Sequence, residues 1–240
     1  GIGYQVYPER PNPDSLSYEL KEKYFSTIYN AGRDIIMQNK NEYGDIITRP
    51  TDRRENYVKR CVGLPGQKLQ IKNRIIYLDG KANKEPDNVQ YSYYVKLKQR
   101  IPEELMEELG ISMEDLTSLN TAGYLPLTKH AVAVLSQRKD IVESITINND
   151  TSDTDIYPLN GNMHWTRDNY GPIWIPAKGK SIDLNLDNLA IYERPIRVYE
   201  KNDLKVKDGR IYINGKEAKS YTFKMDYYWM MGDNRHNSAD

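Results

Sequence analysis

Two short stretches of the chain hold residue types that can do chemistry. The first is Tyr57-Val58-Lys59-Arg60-Cys61-Val62, followed by Gly63-Leu64-Pro65-Gly66. It reads as a strand with alternating faces, Tyr57, Lys59 and Cys61 on one side and Val58, Arg60 and Val62 on the other, closed by a glycine-flanked turn. A lysine serves as a general base near neutrality only where a dry pocket lowers its pKa from about 10.4 to roughly 7–8, at a cost on the order of 4 kcal/mol. The second stretch is Gly232–Asp240, GDNRHNSAD, entered from a tyrosine-rich strand over Asp226–Trp229 and from Met230 and Met231. Asp233 and Asn234 suit a tight turn. Arg235 can pair with Asp233 or Asp240, and Ser238 can hydrogen-bond a lysine amine and orient it. Taken singly, these are an exposed strand lysine and an ordinary polar turn.

Other reactive groups offer less. Cys61, His130, His164 and His236 lack metal-ligand spacing. The histidines are expected to be satisfied surface or core groups and Cys61 a small buried hydrophobe. No metal or other cofactor is implied, and a single cysteine excludes an internal disulfide. Lys+Arg and Asp+Glu both number 34, so the chain lacks the cationic excess that phosphate-backbone binding needs, and nucleic acid is not an expected partner. No apolar run approaches the roughly 18–20 residues of a membrane-spanning helix.

The elements that must position these groups follow from periodicity. Hydrophobic residues make up 38% of the 240, enough for a packed fold, and 20 Tyr against 2 Phe favour strands. Asp14 or Ser15 would cap one or two helices over about 15–39, interrupted near Gly32. Asp45–Thr48 reads as a short strand ended by Pro50. Leu69–Lys81 and Leu204–Lys216 align without a gap. Each reads as a hairpin, with turns at Asn73-Arg74 or Asp208-Gly209 and further turn signals at Asp79-Gly80 and Asn214-Gly215. Both hairpins are expected in one antiparallel system. Pro102–Leu109, Ser112–Leu119 and Leu127–Ile145 read as helices. Asp168–Pro172 reads as a turn before a strand at Ile173–Ile175. The expected class is mainly β (α+β), an antiparallel core with a partly helical inserted lobe. Its parts would be an extended and helical segment over 1–40, a β core from 41–86 and 161–240, and the lobe from 87–160.

The joint occurrence of YVKRCVGLPG and YYWMMGDNRHNSAD resembles the type I signal peptidases, which are Ser/Lys proteases. The resemblance rests on these two segments and on the hairpin after GLPG. It implies a β core of the signal-peptidase type, with Lys59 as general base and Ser238 positioning its amine. Asp240 with Arg235 would brace the turn, and Asp233 and Asn234 would hold the loop. Gln67 and His236 depart from the residues usual in that family at non-catalytic positions. The resemblance further implies acyl transfer on exported preproteins, cleaved after small residues and bound as an added strand. The expected location is the bacterial inner membrane with the catalytic part extracytoplasmic. The family's serine belongs to an upstream Ser-Met-x-Pro-Thr type motif, and no Ser-x-x-Pro precedes Lys59. Ser15, Ser17 and Ser26 lack that context. Gly44-Asp45-Ile46-Ile47 resembles the strand that follows the serine motif, or lies in an insertion. The expectation is therefore a soluble fragment without peptidase activity, its serine and membrane anchor upstream of Gly1. A β-rich module that binds peptide or carbohydrate through Trp165, Trp174 and Trp229 is the alternative reading.

Overall fold

A computed structural model describes residues 16–47, 57–152, 156–158 and 163–238. The architecture is mixed α+β with several small antiparallel sheets, distributed over two compact units.

The first unit comprises 1–57, 157–164 and 178–225. Helix α1, Tyr18–Gln38, is a single helix. Ser17 is its N-cap, its hydroxyl accepting from the Leu20 amide at 3.4 Å; the expected caps Asp14 and Ser15 lie outside the described residues. Gly32 does not interrupt the helix as expected; it is buried together with Ile28. A short helix α2, Lys40–Tyr43, ends at Gly44, whose φ is 75°. Asp45–Ile47 form no strand, and the last residue of that expected strand, Thr48, lies outside the described residues together with Pro50.

The same unit contains helix α6, Leu186–Arg194, opened by a reciprocal Asn185–Asn188 capping box and continued by a π-helical turn at Pro195–Tyr199. Strands β9 (Ser181–Asp183) and β13 (Ser220–Thr222) pair, and β10 (Leu204–Lys207), β11 (Arg210–Ile213) and β12 (Lys216–Glu217) form a meander. Leu189, Ile196 and Phe223 are almost wholly buried. The Glu200 carboxylate gathers the Tyr221 hydroxyl at 2.5 Å and the Lys224 amide at 2.9 Å. Burial, followed by that hydrogen bond, pushes the Tyr221 phenol up to about 12.

The second unit comprises 58–156, 165–177 and 226–240 and holds both chemistry-bearing stretches. Strand β1, Arg60–Gly63, pairs antiparallel with β14, Trp229–Met231, in the register Arg60 to Met231 and Cys61 to Met230. Both strands are shorter than their sequences suggest. Tyr57–Lys59 precede β1 because its partner offers only three residues, and Asp226–Tyr228 likewise precede β14. Cys61 is exposed rather than buried. Its strand is half of a two-stranded ribbon, which covers one face only. A four-stranded sheet runs in the order β4 (Lys81–Ala82), β3 (Ile75–Leu78), β2 (Lys68–Lys72), β8 (Tyr170–Trp174). Strand β8 therefore starts inside the stretch read as the turn Asp168–Pro172; the bend is confined to 167–169.

The two predicted hairpins are present, with positive φ at both turn residues: 48° and 71° at Asn73-Arg74, 50° and 71° at Asp208-Gly209. These are mirror-image turns whose twist matches that of the strands. The hairpins do not share one sheet, however. The first belongs to the four-stranded sheet and the second to the meander of the other unit.

The stretch read as helix Leu127–Ile145 is instead strand β6 (Tyr124–Thr128), helix α5 (Lys129–Gln137) and strand β7 (Val142–Ile147). Thr128 ends the strand and caps the helix, accepting from the Ala131 amide at 3.1 Å. Val142-Glu-Ser-Ile-Thr-Ile, rich in β-branched residues, suits an extended chain. β6 and β7 flank β5 (Gln90–Leu97). Helices α3 (Glu103–Leu109) and α4 (Met113–Ala122) fall where expected, α4 with a Ser112–Asp115 capping box. Leu125, Leu127, Leu135, Ile101 and Ile141 close a cluster at 0–1% exposure, each contributing about 1.5–3 kcal/mol by removal from water.

Candidate active site

The β1–β14 ladder brings the two chemistry-bearing stretches side by side. Lys59 is the residue before β1, and Gly232 the residue after β14. Across 179 positions of sequence, the half-buried Lys59 ammonium donates a hydrogen bond to the Ser238 hydroxyl. The approach depends on Gly232. A Cβ built there would collide with the Ser238 hydroxyl and lie 2.8 Å from Ser238 Cβ and 3.3 Å from Lys59 Nζ. Glycine is therefore required at 232 by space.

The turn is held from three sides. Arg60, next to Lys59, grips Asp233 with two hydrogen bonds, Nε to Oδ1 at 2.9 Å and Nη2 to Oδ2 at 2.7 Å. That guanidinium holds the Asp233 carboxyl below its ordinary range. Asp233 is thus paired with Arg60 and not with Arg235. Arg235 is buried at 8% exposure and donates Nε–H to the Gly232 carbonyl at 3.1 Å. Asn234 forms a parallel bridge with Gln90 at the start of β5. There the Gln90 amide donates to the Asp233 carbonyl at 2.8 Å and the Arg235 amide donates to the Gln90 carbonyl at 3.0 Å. Asp240 lies outside the described residues.

The third hold went unread in the sequence. His236 Nδ1 accepts from the Ser92 amide at 3.3 Å, which leaves Nε2 as the protonated nitrogen facing Asp168 Oδ1 at 2.8 Å. Asp168 Oδ2 accepts from Arg74 Nη1 and from the Asp150 amide, each at 3.1 Å. Burial pushes the Asp168 carboxyl up. The hydrogen bonds from His236 and the Asp150 amide, together with the Arg74 charge, outweigh it, leaving the group below its ordinary 3.8. The expectation of a satisfied histidine at 236 holds. Only its residue type marked it in sequence, since Arg74, Asp168 and Ser92 share no motif with it. Arg60 stood within the first motif as part of the resemblance, without a role of its own.

Beneath the ladder Trp229 packs on Tyr170 at 5.2 Å between ring centres, and Tyr170 on Trp165 at 4.7 Å. Trp165 and Trp229 are thus engaged in packing. Gln67 closes the GLPG turn by accepting from the Leu64 amide at 2.8 Å. Among the described residues no cluster of His, Cys, Asp and Glu could hold a metal ion, and no helix is long and apolar enough to cross a membrane.

An amine hydrogen-bonded to a hydroxyl is suited to exchanging a proton with a third group. Comparison with known proteins bears on which chemistry that serves. The family described as signal peptidase, peptidase S26, matches residues 15–140. The match includes α1 and most of the 87–160 stretch, which carried no resemblance by motif. The chain is similar to signal peptidase I of Bacillus caldolyticus, 48% identical over 42 residues that cover 18% of this chain and 23% of that protein. It is similar to signal peptidase IB of Staphylococcus aureus (strain Mu50 / ATCC 700699), 36% identical over 58 residues that cover 24% of this chain and 29% of that protein. The aligned stretches thus span less than a third of either relative. No solved structure matches.

Proposed function

Given that this chain belongs to the signal peptidase family, peptidase S26, we propose that it supplies the general base of a Ser/Lys endopeptidase that removes signal peptides from exported preproteins. The supporting observation is the Lys59–Ser238 hydrogen bond. Lys59 is the base that takes the proton of a nucleophilic serine. Ser238 fixes its amine so that the lone pair of the neutral form points at that serine. Asp233, Asn234 and Arg235 hold the turn that carries Ser238, and Asp240 completes its bracing. The β1–β14 ribbon and the four-stranded sheet stand for the catalytic core, and the α/β lobe after Val89 is inserted into it.

This reading assigns the nucleophile to no residue of these 240. No Ser-x-x-Pro precedes Lys59, Ser17 is engaged as a helix cap, and Ser26 is exposed on α1. The serine attacks the peptide carbonyl after a small residue, with oxyanion donors beside it. The enzyme acts at the bacterial inner membrane, on its outer face.

The test is preprotein cleavage by the enzyme with its full catalytic set. Lys59→Ala should lower kcat by about 10²–10⁴, and Ser238→Ala should lower it less while shifting the acidic limb of the pH profile, where Lys59 must lose its proton. Activity unchanged in Lys59→Ala rules out the assigned base. The 240 residues alone should not cleave, and measurable turnover by them would place the nucleophile inside the chain.

A further inference from the structure

The second unit contains a cavity of about 460 Å³ beside the candidate catalytic turn. Five cations line it: Arg60, Arg74, Lys84, Lys129 and Arg235; Glu85 is the single acidic residue in the lining. Three of the five are neutralised. Arg60 is held by Asp233, Arg74 by Asp168, and Lys129 by Glu85. Glu85 is further occupied by the Tyr91 hydroxyl at 2.5 Å.

Arg235 forms no ion pair among the described residues, although its charge helps hold the Asp233 carboxyl down. It is 92% buried, the complement of its 8% exposure. Its Nε is committed to the Gly232 carbonyl, while among the described residues its two terminal nitrogens have no hydrogen-bond partner. Buried guanidinium N–H donors left without an acceptor are costly to maintain. A planar pair of N–H donors fits the two oxygens of a carboxylate or phosphate. Lys84 stands exposed at the rim, also without an acidic partner among the described residues. Val62, Ile76 and Ile147 supply an apolar wall. The cavity thus combines an anchoring cation, a second cation at its mouth and a surface for a hydrocarbon body, in a volume suited to a small organic molecule.

We propose that this cavity is a binding site for an organic oxyanion, a carboxylate or a phosphomonoester, seated on Arg235 with its body against Val62, Ile76 and Ile147. The site is independent of peptide cleavage and of the roles of Lys59 and Ser238.

Titration of the 240-residue chain with phenyl phosphate and with benzoate, followed by calorimetry, tests it. Inorganic phosphate and benzyl alcohol are the controls for head and body. At least one of the two aromatic anions should bind, and more tightly than both controls. Arg235→Gln should weaken that binding about tenfold or more, as loss of a bidentate charge-assisted contact does. Lys84→Glu, at an exposed position, should weaken it in the same direction with an unchanged melting temperature, and it decides the matter if Arg235→Gln does not fold. Failure of both anions to bind, equal binding of benzyl alcohol or inorganic phosphate, or affinity unchanged in Lys84→Glu overturns the proposal.

Discussion

His236, in the turn that carries Ser238, meets Asp168, in the bend that leads into β8, at 2.8 Å, with the two side chains only 7% and 4% exposed. The carboxylate also receives Arg74 and the Asp150 amide. One buried acid therefore fastens the candidate catalytic turn to the strand beneath it and to the hairpin turn of Asn73-Arg74.

The acid limb of stability should report this. Because the folded state holds the Asp168 carboxyl below 3.8, its contribution is fully present above the unfolded value of about 3.9 and is lost as pH falls through the folded value. Asp168→Asn should lower unfolding free energy at pH 7 by about 3 kcal/mol, the cost of depriving Arg74 and the buried His236 N–H of their carboxylate acceptor, and should flatten the fall below pH 4. Urea melts of both proteins from pH 2.5 to 7 measure it; parallel acid limbs would refute it.

Gly232→Ala should act on the site more than on the fold. The added methyl group overlaps Ser238, so Ser238 must leave Lys59. Peptidase activity of an enzyme with its full catalytic set should fall about tenfold or more. In a Ser238→Gly background, where the space is vacant, the same substitution should cost little further. Additive losses in that double-mutant cycle would refute the steric account.

The Arg60–Asp233 pair should stabilise weakly and position strongly. Its side chains are 42% and 36% exposed, so a double-mutant cycle on unfolding should give a coupling of about 1 kcal/mol or less. Asp233→Asn should nonetheless reduce catalysis, because the pair aligns the residue after Lys59 with the turn that carries Ser238. Wild-type kcat in Asp233→Asn would show the pair to be ornamental.

The sequence made some of this legible. The hairpins were readable because Asn-Arg, Asp-Gly and Asn-Gly turns tolerate positive φ at two consecutive positions, a local demand that leaves a local mark. Leu127–Ile145 was misread because short apolar segments fit helix and strand spacings alike, and what separates them is the Thr128 cap and pairing with β5. The placement of the two hairpins in different sheets depended on contacts that no local pattern encodes. Lys59 and Ser238 stood out only through the resemblance. Asp168 and Arg74, 68 and 94 positions from their partners His236 and Asp168, carried no signal at all.

The bridge between Asn234 and Gln90 sets a limit on remodelling the chain. Gln90 is the first residue of β5, the strand from which the α/β lobe grows, and its amide and carbonyl are both spent on the backbone of the turn at Asp233 and Arg235. Changes to the exposed face of α4, which buries no residue, do not reach that junction. A cut that removes Gln90 with the lobe strips two rungs from the turn that carries Ser238, so a minimal version of this protein has to be trimmed beyond the root of β5 and never at it.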